Sequence, residues 1–131
     1  MNMIDHCSIS VTNYAKAKEF YTKVFRALGG DFVFEVTPEQ TGGASAGGFG
    51  RDGKPSFWIG SGGTSRPPTH VAFTARTREE VRKFYETAIA AGATDNGPPG
   101  LRPHYHPNYY GAFVRDLDGY NIEAVCHRPE D

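Results

Sequence analysis

Apolar and polar positions follow the same order of patterns twice along the 131 residues of the chain. Each round begins with strand-like alternation, at 3–11 and again at 69–75, and continues with apolar residues three and four positions apart, as on one face of a helix. Short extended segments follow each helix, at about 32–37, 46–51 and 56–60 in the first round and at about 94–98, 110–115 and 120–126 in the second. The pattern therefore predicts a βαβββ order of elements that occurs twice.

The two predicted helices have well-marked apolar faces. The first face comprises Ala17, Phe20, Tyr21, Val24, Phe25 and Leu28, and the second comprises Val81, Phe84, Tyr85, Ala88 and Ile89. Thr77 and Glu80 have the spacing of a capping box, in which both side chains accept hydrogen bonds from backbone N–H groups at the start of the helix. Asp-Gly pairs at 52–53 and 118–119 favour tight hairpin turns.

The two rounds also share residues at a fixed offset of 64 positions. His6 corresponds in this way to His70, and the pair Phe20-Tyr21 corresponds to Phe84-Tyr85. A segment rich in Gly, Ser and Pro separates the rounds, as is typical of a linker. We therefore predict an α+β fold in a single domain, 1–131, made of module 1 (1–60), a linker (61–68) and module 2 (69–128).

Composition and charge exclude several classes of protein. Lys and Arg number 14 against 15 Asp and Glu, so the chain lacks the basic excess that nucleic-acid binders need. No apolar run approaches the roughly 20 residues of a membrane span, and the first residues lack a signal-peptide pattern. Cys7 and Cys126 are too few for a disulfide scaffold, and alternation predicts that both are packed thiols on the helix side of their strands. We expect a cytoplasmic protein that binds neither nucleic acid nor membrane.

Alternation along the strands places three metal-binding side chains on corresponding faces. His6, His70 and Glu123 each lie on the side of a predicted strand away from its helix, among small neighbours that leave space around them. A buried carboxylate is costly unless it is paired or bound to a metal. Two imidazoles and one carboxylate form the ligand set of non-haem iron sites and also suit manganese, zinc or nickel. The three residues are therefore predicted metal ligands; the alternative is that hydrogen bonds alone hold each of them.

Four segments resemble the glyoxalase / bleomycin-resistance / extradiol-dioxygenase superfamily, which has the vicinal oxygen chelate fold. They are 4–11, 20–24, 69–73 and 114–125, and the last is the most specific because a strand, an Asp-Leu-Asp-Gly turn and a glutamate-bearing strand follow one another. The resemblance spans essentially the whole chain. It implies paired βαβββ modules that form a cup-shaped mixed sheet around a metal or ligand site, with His6, His70 and Glu123 at the ligand positions.

The sequence departs from glyoxalase-type members at one position. Such members commonly have a further glutamate on the fourth strand of the first module, where this chain has Trp58 and Ile59, and the 64-residue offset makes Ile59 the counterpart of Glu123. Isomerising a hemithioacetal needs a base that moves a proton between adjacent carbons, so we expect weak or no lactoylglutathione lyase activity. Three ligands leave positions for a substrate with vicinal oxygens, as in extradiol cleavage or fosfomycin-resistance transferases.

A proline-stiffened loop at 102–110, rich in rings, precedes the strand pair that carries Glu123. Its side chains either act on substrate or are incidental rings of an exposed loop. Two aromatic residues of the fourth strand are likewise either core residues or a stacking platform. The candidate acids and bases are Tyr105, His106 and His104. The candidate substrate contacts are Trp58, Phe57, Arg102 and Tyr109.

Two functions follow from these features. The first is a metal-dependent enzyme of lyase, dioxygenase or thiol-transferase type, with Fe, Mn, Zn or Ni and with glutathione or another thiol as an additional co-substrate. The alternative is a metal-free protein that sequesters a small molecule, as bleomycin-resistance members do. The resemblance also implies a homodimer, in which His6 of one chain completes a site with His70 and Glu123 of the other; a site within one chain is the alternative.

Overall fold

A computed structural model describes residues 3–63 and 69–129, so most of the predicted linker 61–68 lies outside the described residues. The chain divides into two compact units, Met1–Pro67 (unit 1) and Pro68–Asp131 (unit 2). The elements of unit 1 are β1 (Cys7–Val11), α1 (Tyr14–Ala27), β2 (Asp31–Val36), α2 (Pro38–Thr41), β3 (Ala46–Gly50) and β4 (Phe57–Ser61). The elements of unit 2 are β5 (His70–Thr74), α3 (Arg78–Ala90), β6 (Thr94–Leu101), β7 (Tyr110–Arg115) and β8 (Asn121–Cys126). The predicted double βαβββ order is confirmed, with α2 as an addition to unit 1.

The sheets of the two units have the same topology. Unit 1 has the strand order β1-β4-β3-β2, and unit 2 has the order β5-β8-β7-β6. In each unit the first strand pairs in parallel with the last, and the register places Ser8 beside Trp58 and Ala72 beside Glu123. Ser8 and Ala72 correspond at the 64-residue offset, so their strand partners Trp58 and Glu123 correspond as well, at an offset one residue longer. The counterpart of Glu123 is therefore Trp58 and not Ile59.

Aromatic side chains form the core between α1 and its sheet. Tyr21 and Phe25 of α1 contact Phe49 of β3 and Phe57 of β4, with ring centroids 5.1 to 6.0 Å apart. All four side chains are buried, as is the rest of the predicted face of α1. Burial of each large ring stabilises the fold by about 1.5–3 kcal/mol, so this cluster anchors the helix on one face of the sheet and leaves the other face for a site.

The apolar face of α3 is narrower than the sequence predicted. Val81, Phe84 and Ala88 are buried, but Ile89 is 37% exposed. Tyr85 is only half-buried, and its hydroxyl donates a hydrogen bond to the side chain of Asp95 at 2.9 Å. The predicted helical spacing is confirmed. Tyr85 and Ile89 lie at the edge of the apolar face, where the helix is less well covered.

The first turn of α3 is capped as predicted by Thr77, whose hydroxyl accepts a hydrogen bond from the backbone N–H of Glu80 at 3.0 Å. The Glu80 carboxylate accepts from the backbone N–H of Arg76 at 2.8 Å and forms an ion pair with the Arg76 guanidinium. The Glu80 side chain thus accepts from the backbone of Arg76, the residue just before the N-cap residue Thr77.

β1 is shorter than predicted and begins at Cys7. Ile9 and Val11 on the helix side are buried, but Cys7 on the same side is exposed, so the prediction of a packed thiol is wrong for Cys7. Cys126 is fully buried, as predicted. Alternation gave the correct side in both cases, and burial of that side of β1 starts only at Ile9.

The four-residue helix α2 was not predicted, because a single turn is too short to show a helical period. Pro38 occupies its first position, and Gly42 ends it in the left-handed conformation at φ 88°. No described helix is long and apolar enough to cross a membrane.

Candidate metal and substrate site

His70 is held at the start of β5 with one ring nitrogen committed to the backbone. Its Nδ1 lies 3.0 Å from the carbonyl oxygen of Asn121 on the neighbouring β8. A carbonyl oxygen only accepts hydrogen bonds, so Nδ1 carries a proton, and in the neutral form of the ring Nε2 carries a lone pair. Metal-binding histidines are commonly oriented in this way, by a hydrogen bond from the second nitrogen to a carbonyl group.

Glu123 presents a buried carboxylate to that lone pair. Its side chain is only 2% exposed, and Oε1 lies 3.2 Å from Nε2 of His70. A neutral imidazole nitrogen and a carboxylate oxygen would both be acceptors, so this contact is satisfied either by a second proton on the imidazole or by a cation bound to both groups. An imidazole nitrogen and a carboxylate oxygen are donors that suit Fe, Mn, Zn or Ni, and the pair therefore fits as part of a divalent metal site.

The second carboxylate oxygen of Glu123 has a partner of its own. The hydroxyl of Tyr109, in the loop before β7, donates a hydrogen bond to Oε2. Burial, together with the adjacent Glu123 carboxylate, raises the pKa of the Tyr109 phenol above its ordinary value. Tyr109 is therefore a hydrogen-bond donor across the physiological pH range.

These residues line an open pocket of about 440 Å³ within unit 2. The Phe113 ring stacks on the imidazole of His70 with centroids 6.3 Å apart, and Tyr105 is 58% exposed at the same pocket. The lining comprises His70, Tyr105, Tyr109, Phe113, Asn121 and Glu123. The pocket thus brings together two predicted metal ligands, one predicted acid or base and one predicted substrate contact.

The other predicted residues of the 102–110 loop have different partners. His106 Nε2 lies 2.7 Å from Nδ1 of His127, and His106 Nδ1 accepts from the backbone N–H of Asn108 at 3.0 Å. His104 is exposed, with its ring 4.3 Å from that of Tyr105. Both nitrogens of His106 are therefore engaged within the loop and with the end of β8.

Arg102 lies beside the pocket and is held by contacts of its own. Its guanidinium donates a hydrogen bond to the carbonyl oxygen of Pro98 at 2.8 Å and lies 5.4 Å above the Phe113 ring. Arg102 therefore adds a positive charge beside the pocket but is not one of the residues that line it.

Unit 1 has a pocket of about 360 Å³ at the corresponding place on its own sheet. His6 and Trp58 are among its lining residues, together with Ser8, Ile9, Ser10, Ala46, Ile59 and Gly60. His6 Nδ1 lies 2.8 Å from the carboxylate of Asp5, and this contact, followed by that of Lys54, lowers the pKa of Asp5. Phe57, which the sequence offered as a substrate contact, is 2% exposed and belongs to the aromatic core instead.

Neither unit, over its described residues, gathers three or more His, Cys, Asp or Glu side chains that could hold one metal ion. Within unit 2 the donors found together are His70 and Glu123.

The hydrogen bond from Tyr109 to Glu123 was not predicted from the sequence. The signal was present, because residues 111 and 113 lie on the face of β7 that Glu123 shares on β8, residue 109 continues their alternation just before the strand, and Gly111 leaves room on that face. Which of the loop's several rings reaches Glu123 depends on how the loop closes.

A protein-family model for the glyoxalase/bleomycin resistance protein/dioxygenase superfamily matches residues 3–124. The chain belongs to this superfamily. The resemblance seen in the sequence is thus confirmed, as is the vicinal oxygen chelate fold. No curated protein matches the chain significantly.

Solved structures of the superfamily align with almost the whole chain. A glyoxalase/bleomycin resistance protein from Albidiferax ferrireducens T118 is 25% identical, with a TM-score of 0.72 over 95% of this chain and 99% of the other. A glyoxalase/bleomycin resistance protein/dioxygenase domain from Frankia sp. EAN1pec is 18% identical, with a TM-score of 0.73 over 98% and 99%. A variant of FosX, a fosfomycin resistance protein from Listeria monocytogenes, was solved with Mn(II) and 1S,2S-dihydroxypropylphosphonic acid; it is 18% identical, with a TM-score of 0.68 over 98% and 94%.

Proposed function

We propose that this superfamily member is a divalent-metal enzyme that acts on a small substrate with two neighbouring oxygen atoms. The observation that carries the proposal is the contact between Nε2 of His70 and Oε1 of Glu123, which are 3.2 Å apart at the pocket, with the carboxylate buried and the imidazole partly exposed. The Mn(II) in the FosX structure, a protein of the same fold, supports it. Coordination of a divalent ion by His70 and Glu123 would offset the cost of burying the Glu123 carboxylate.

We assign His6 of unit 1 as the third ligand. It occupies in unit 1 the position that His70 occupies in unit 2, and it lines the pocket of that unit. In this proposal His6 comes from a second copy of the chain, and the protein is a homodimer with two equivalent sites. The alternative source is His6 of the same chain.

The chemistry at the site divides between the metal and the side chains around it. A bound divalent ion would act as a Lewis acid toward the chelating oxygens of the substrate. His70 and Glu123 would hold the ion, while Phe113 offers an apolar ring against which the substrate would pack. Tyr105 is the strongest candidate acid or base among the loop residues, because its phenol ring lines the pocket, whereas both nitrogens of His106 are engaged.

The single carboxylate favours one reaction class over another. Trp58 stands in unit 1 where Glu123 stands in unit 2, so the site lacks a second carboxylate for moving a proton between carbons. We therefore favour reactions in which chelation through vicinal oxygens activates a substrate carbon atom for attack, either by dioxygen or by a thiol such as glutathione, over glyoxalase-type isomerisation.

The test is elemental analysis of protein purified without chelators. We expect about one equivalent of Mn, Fe, Zn or Ni per chain, and its loss in His70→Ala and in Glu123→Gln. The matched control is His104→Ala, which removes an exposed histidine of the same unit whose ring contacts Tyr105. A metal-free wild-type protein that also takes up none of the four metals would contradict the proposal and favour the sequestering function.

A further inference from the structure

We propose that Tyr109 is a positioning residue that makes Glu123 a metal ligand through one oxygen only. This inference rests on the proposed function, since it concerns how the proposed ligand Glu123 is presented. The two carboxylate oxygens have separate partners: Oε2 accepts the hydrogen bond of the Tyr109 hydroxyl, and Oε1 faces Nε2 of His70 at 3.2 Å. With Oε2 occupied, Oε1 is left for the ion.

Three neighbouring rings hold Tyr109 in the orientation that this role needs. Tyr105, His106 and His127 contact the Tyr109 ring edge to face, with centroid distances of 4.8, 5.5 and 5.3 Å. Edge-to-face contacts between aromatic rings are stabilising beyond the area that they bury. The ring therefore has little freedom to turn its hydroxyl away from Glu123.

Backbone hydrogen bonds within the loop engage both the N–H and the carbonyl group of Tyr109. The backbone N–H of Arg102 donates to the carbonyl oxygen of Tyr109 at 2.7 Å, and the backbone N–H of Tyr109 donates to the carbonyl oxygen of His106 at 3.2 Å. The hydrogen bond between His106 and His127 at 2.7 Å ties the loop to the end of β8. These contacts fix the loop on both sides of the Tyr109 phenol.

Gly111 provides the space in which the phenol and the carboxylate meet. A Cβ atom at position 111 would lie 3.2 Å from the Tyr109 ring and 3.3 Å from Oε2 of Glu123. Both distances are shorter than ordinary van der Waals contact. The glycine therefore allows this hydroxyl and this oxygen to approach one another over the surface of the sheet.

The consequence for the site is the number of positions left for substrate. A carboxylate that binds an ion through both oxygens occupies two positions, and one that binds through a single oxygen occupies one. A substrate that chelates through two oxygens needs two adjacent positions of its own. Because the Tyr109 hydroxyl engages Oε2, the coordination position that this oxygen would otherwise take stays free for the substrate. The direction of Oε1 is then set by the residues around it.

The test compares Tyr109→Phe with the matched control Tyr105→Phe, which removes a phenol hydroxyl from the same pocket. Mn²⁺ affinity is measured by competition with a chelator, and the visible absorption spectrum of the Co²⁺-loaded protein reports on the coordination geometry. We expect Mn²⁺ to bind about 10–100-fold more weakly to Tyr109→Phe, as is usual when an outer hydrogen-bond partner of a ligand is lost. We also expect a changed Co²⁺ spectrum and a narrower separation of the carboxylate stretching bands in the infrared, and none of these changes in Tyr105→Phe.

The outcomes separate this inference from the proposed function. If the wild-type protein binds metal and Tyr109→Phe matches Tyr105→Phe in affinity and spectra, the positioning role is overturned and the metal site stands. If neither Mn²⁺ nor Co²⁺ binds to the wild-type protein, both proposals fail. Circular dichroism and the thermal midpoint verify that Tyr109→Phe is folded, and a second variant, Gly111→Ala, should shift the Co²⁺ spectrum by crowding the same contact.

Discussion

Trp58 and Glu123 occupy the same position in the two units. Trp58 pairs with Ser8 on the neighbouring parallel strand, and Glu123 pairs in the same way with Ala72. Each side chain lines the pocket of its own unit. The repeated fold thus presents a carboxylate in one unit and an indole ring in the other.

This difference predicts that the protein does not turn over methylglyoxal with glutathione at a rate typical of an enzyme. The isomerisation needs a base at the metal site that moves a proton between carbons, and Trp58 has no such group. The measurement is lactoylglutathione formation by Mn²⁺-, Ni²⁺- and Zn²⁺-loaded protein. Robust turnover would contradict this prediction and would direct the search for a base to Tyr105 and His106.

Gly48→Ala should destabilise unit 1 and move the indole of Trp58. A Cβ atom at position 48 would lie 2.8 Å from the Cβ of Pro55 and 3.0 Å from Cζ2 of Trp58, so the ring now lies directly over the glycine. We expect a loss of about 1–3 kcal/mol in the free energy of unfolding, as for other overpacked sites. Because Trp58 is the single tryptophan of the chain, its fluorescence maximum reports the displacement directly.

The control for this substitution is Gly60→Ala on the adjacent β4. There the nearest atom to an added Cβ is the carbonyl oxygen of Ser45 at 3.9 Å, which is ordinary contact. We expect a change within about 0.5 kcal/mol and an unshifted emission maximum. Equal effects of the two substitutions would show that Trp58 does not depend on the space above Gly48.

Mixing two variants that each lack one proposed ligand should reveal whether the ligands come from two copies of the chain. His6→Ala and Glu123→Ala chains are unfolded, mixed in equal amounts and refolded together, and bound metal is measured. With random pairing, half of the dimers are mixed and each has one intact site, so about a quarter of the wild-type metal content should return. If mixed dimers form and no metal returns, the site lies within one chain.

The contact between Tyr14 and Glu35 should make stability depend on pH at both extremes. The Tyr14 hydroxyl donates to Glu35 at 2.7 Å, and burial followed by the Glu35 contact raises the pKa of Tyr14 above its ordinary 10.0. The same hydrogen bond, followed by that of Lys18, lowers the pKa of Glu35 below its ordinary 4.5. Both shifts favour the folded state near neutral pH.

Stability falls at each extreme of pH because the unfolded state changes its protonation before the folded state does. Above about pH 10 unfolded Tyr14 loses its proton while folded Tyr14 keeps it, so the stabilisation declines as pH rises. Below about pH 4.5 unfolded Glu35 gains a proton before folded Glu35 does, so the stabilisation declines as pH falls. Denaturant unfolding of wild type and Tyr14→Phe should differ by about 1 kcal/mol near neutrality, since the pair is partly exposed. The difference should shrink toward both extremes, and a constant difference from acid to alkaline pH would contradict the assignment.

The order of elements and the face of each strand could be read from the sequence. The spacing of Phe20, Tyr21 and Val24 requires a helix with one apolar face, and the alternation in β8 puts Glu123 on the side opposite Ile122 and Ala124. These are local properties, because helical and extended backbones have fixed periods of side-chain direction. For the same reason the prediction that His70 and Glu123 share a face of the sheet agrees with their contact in unit 2.

The partners of each side chain were decided by the tertiary structure. The register between β1 and β4 makes Trp58 the counterpart of Glu123, and the closure of the 102–110 loop selects Tyr109 among several rings as the one that reaches the carboxylate. Both depend on how strands pair and where a loop returns to the sheet, and a shift of one residue changes the outcome without altering any local pattern. Periodicity in the sequence therefore determined which way the residues point, and packing between distant segments determined which of them meet.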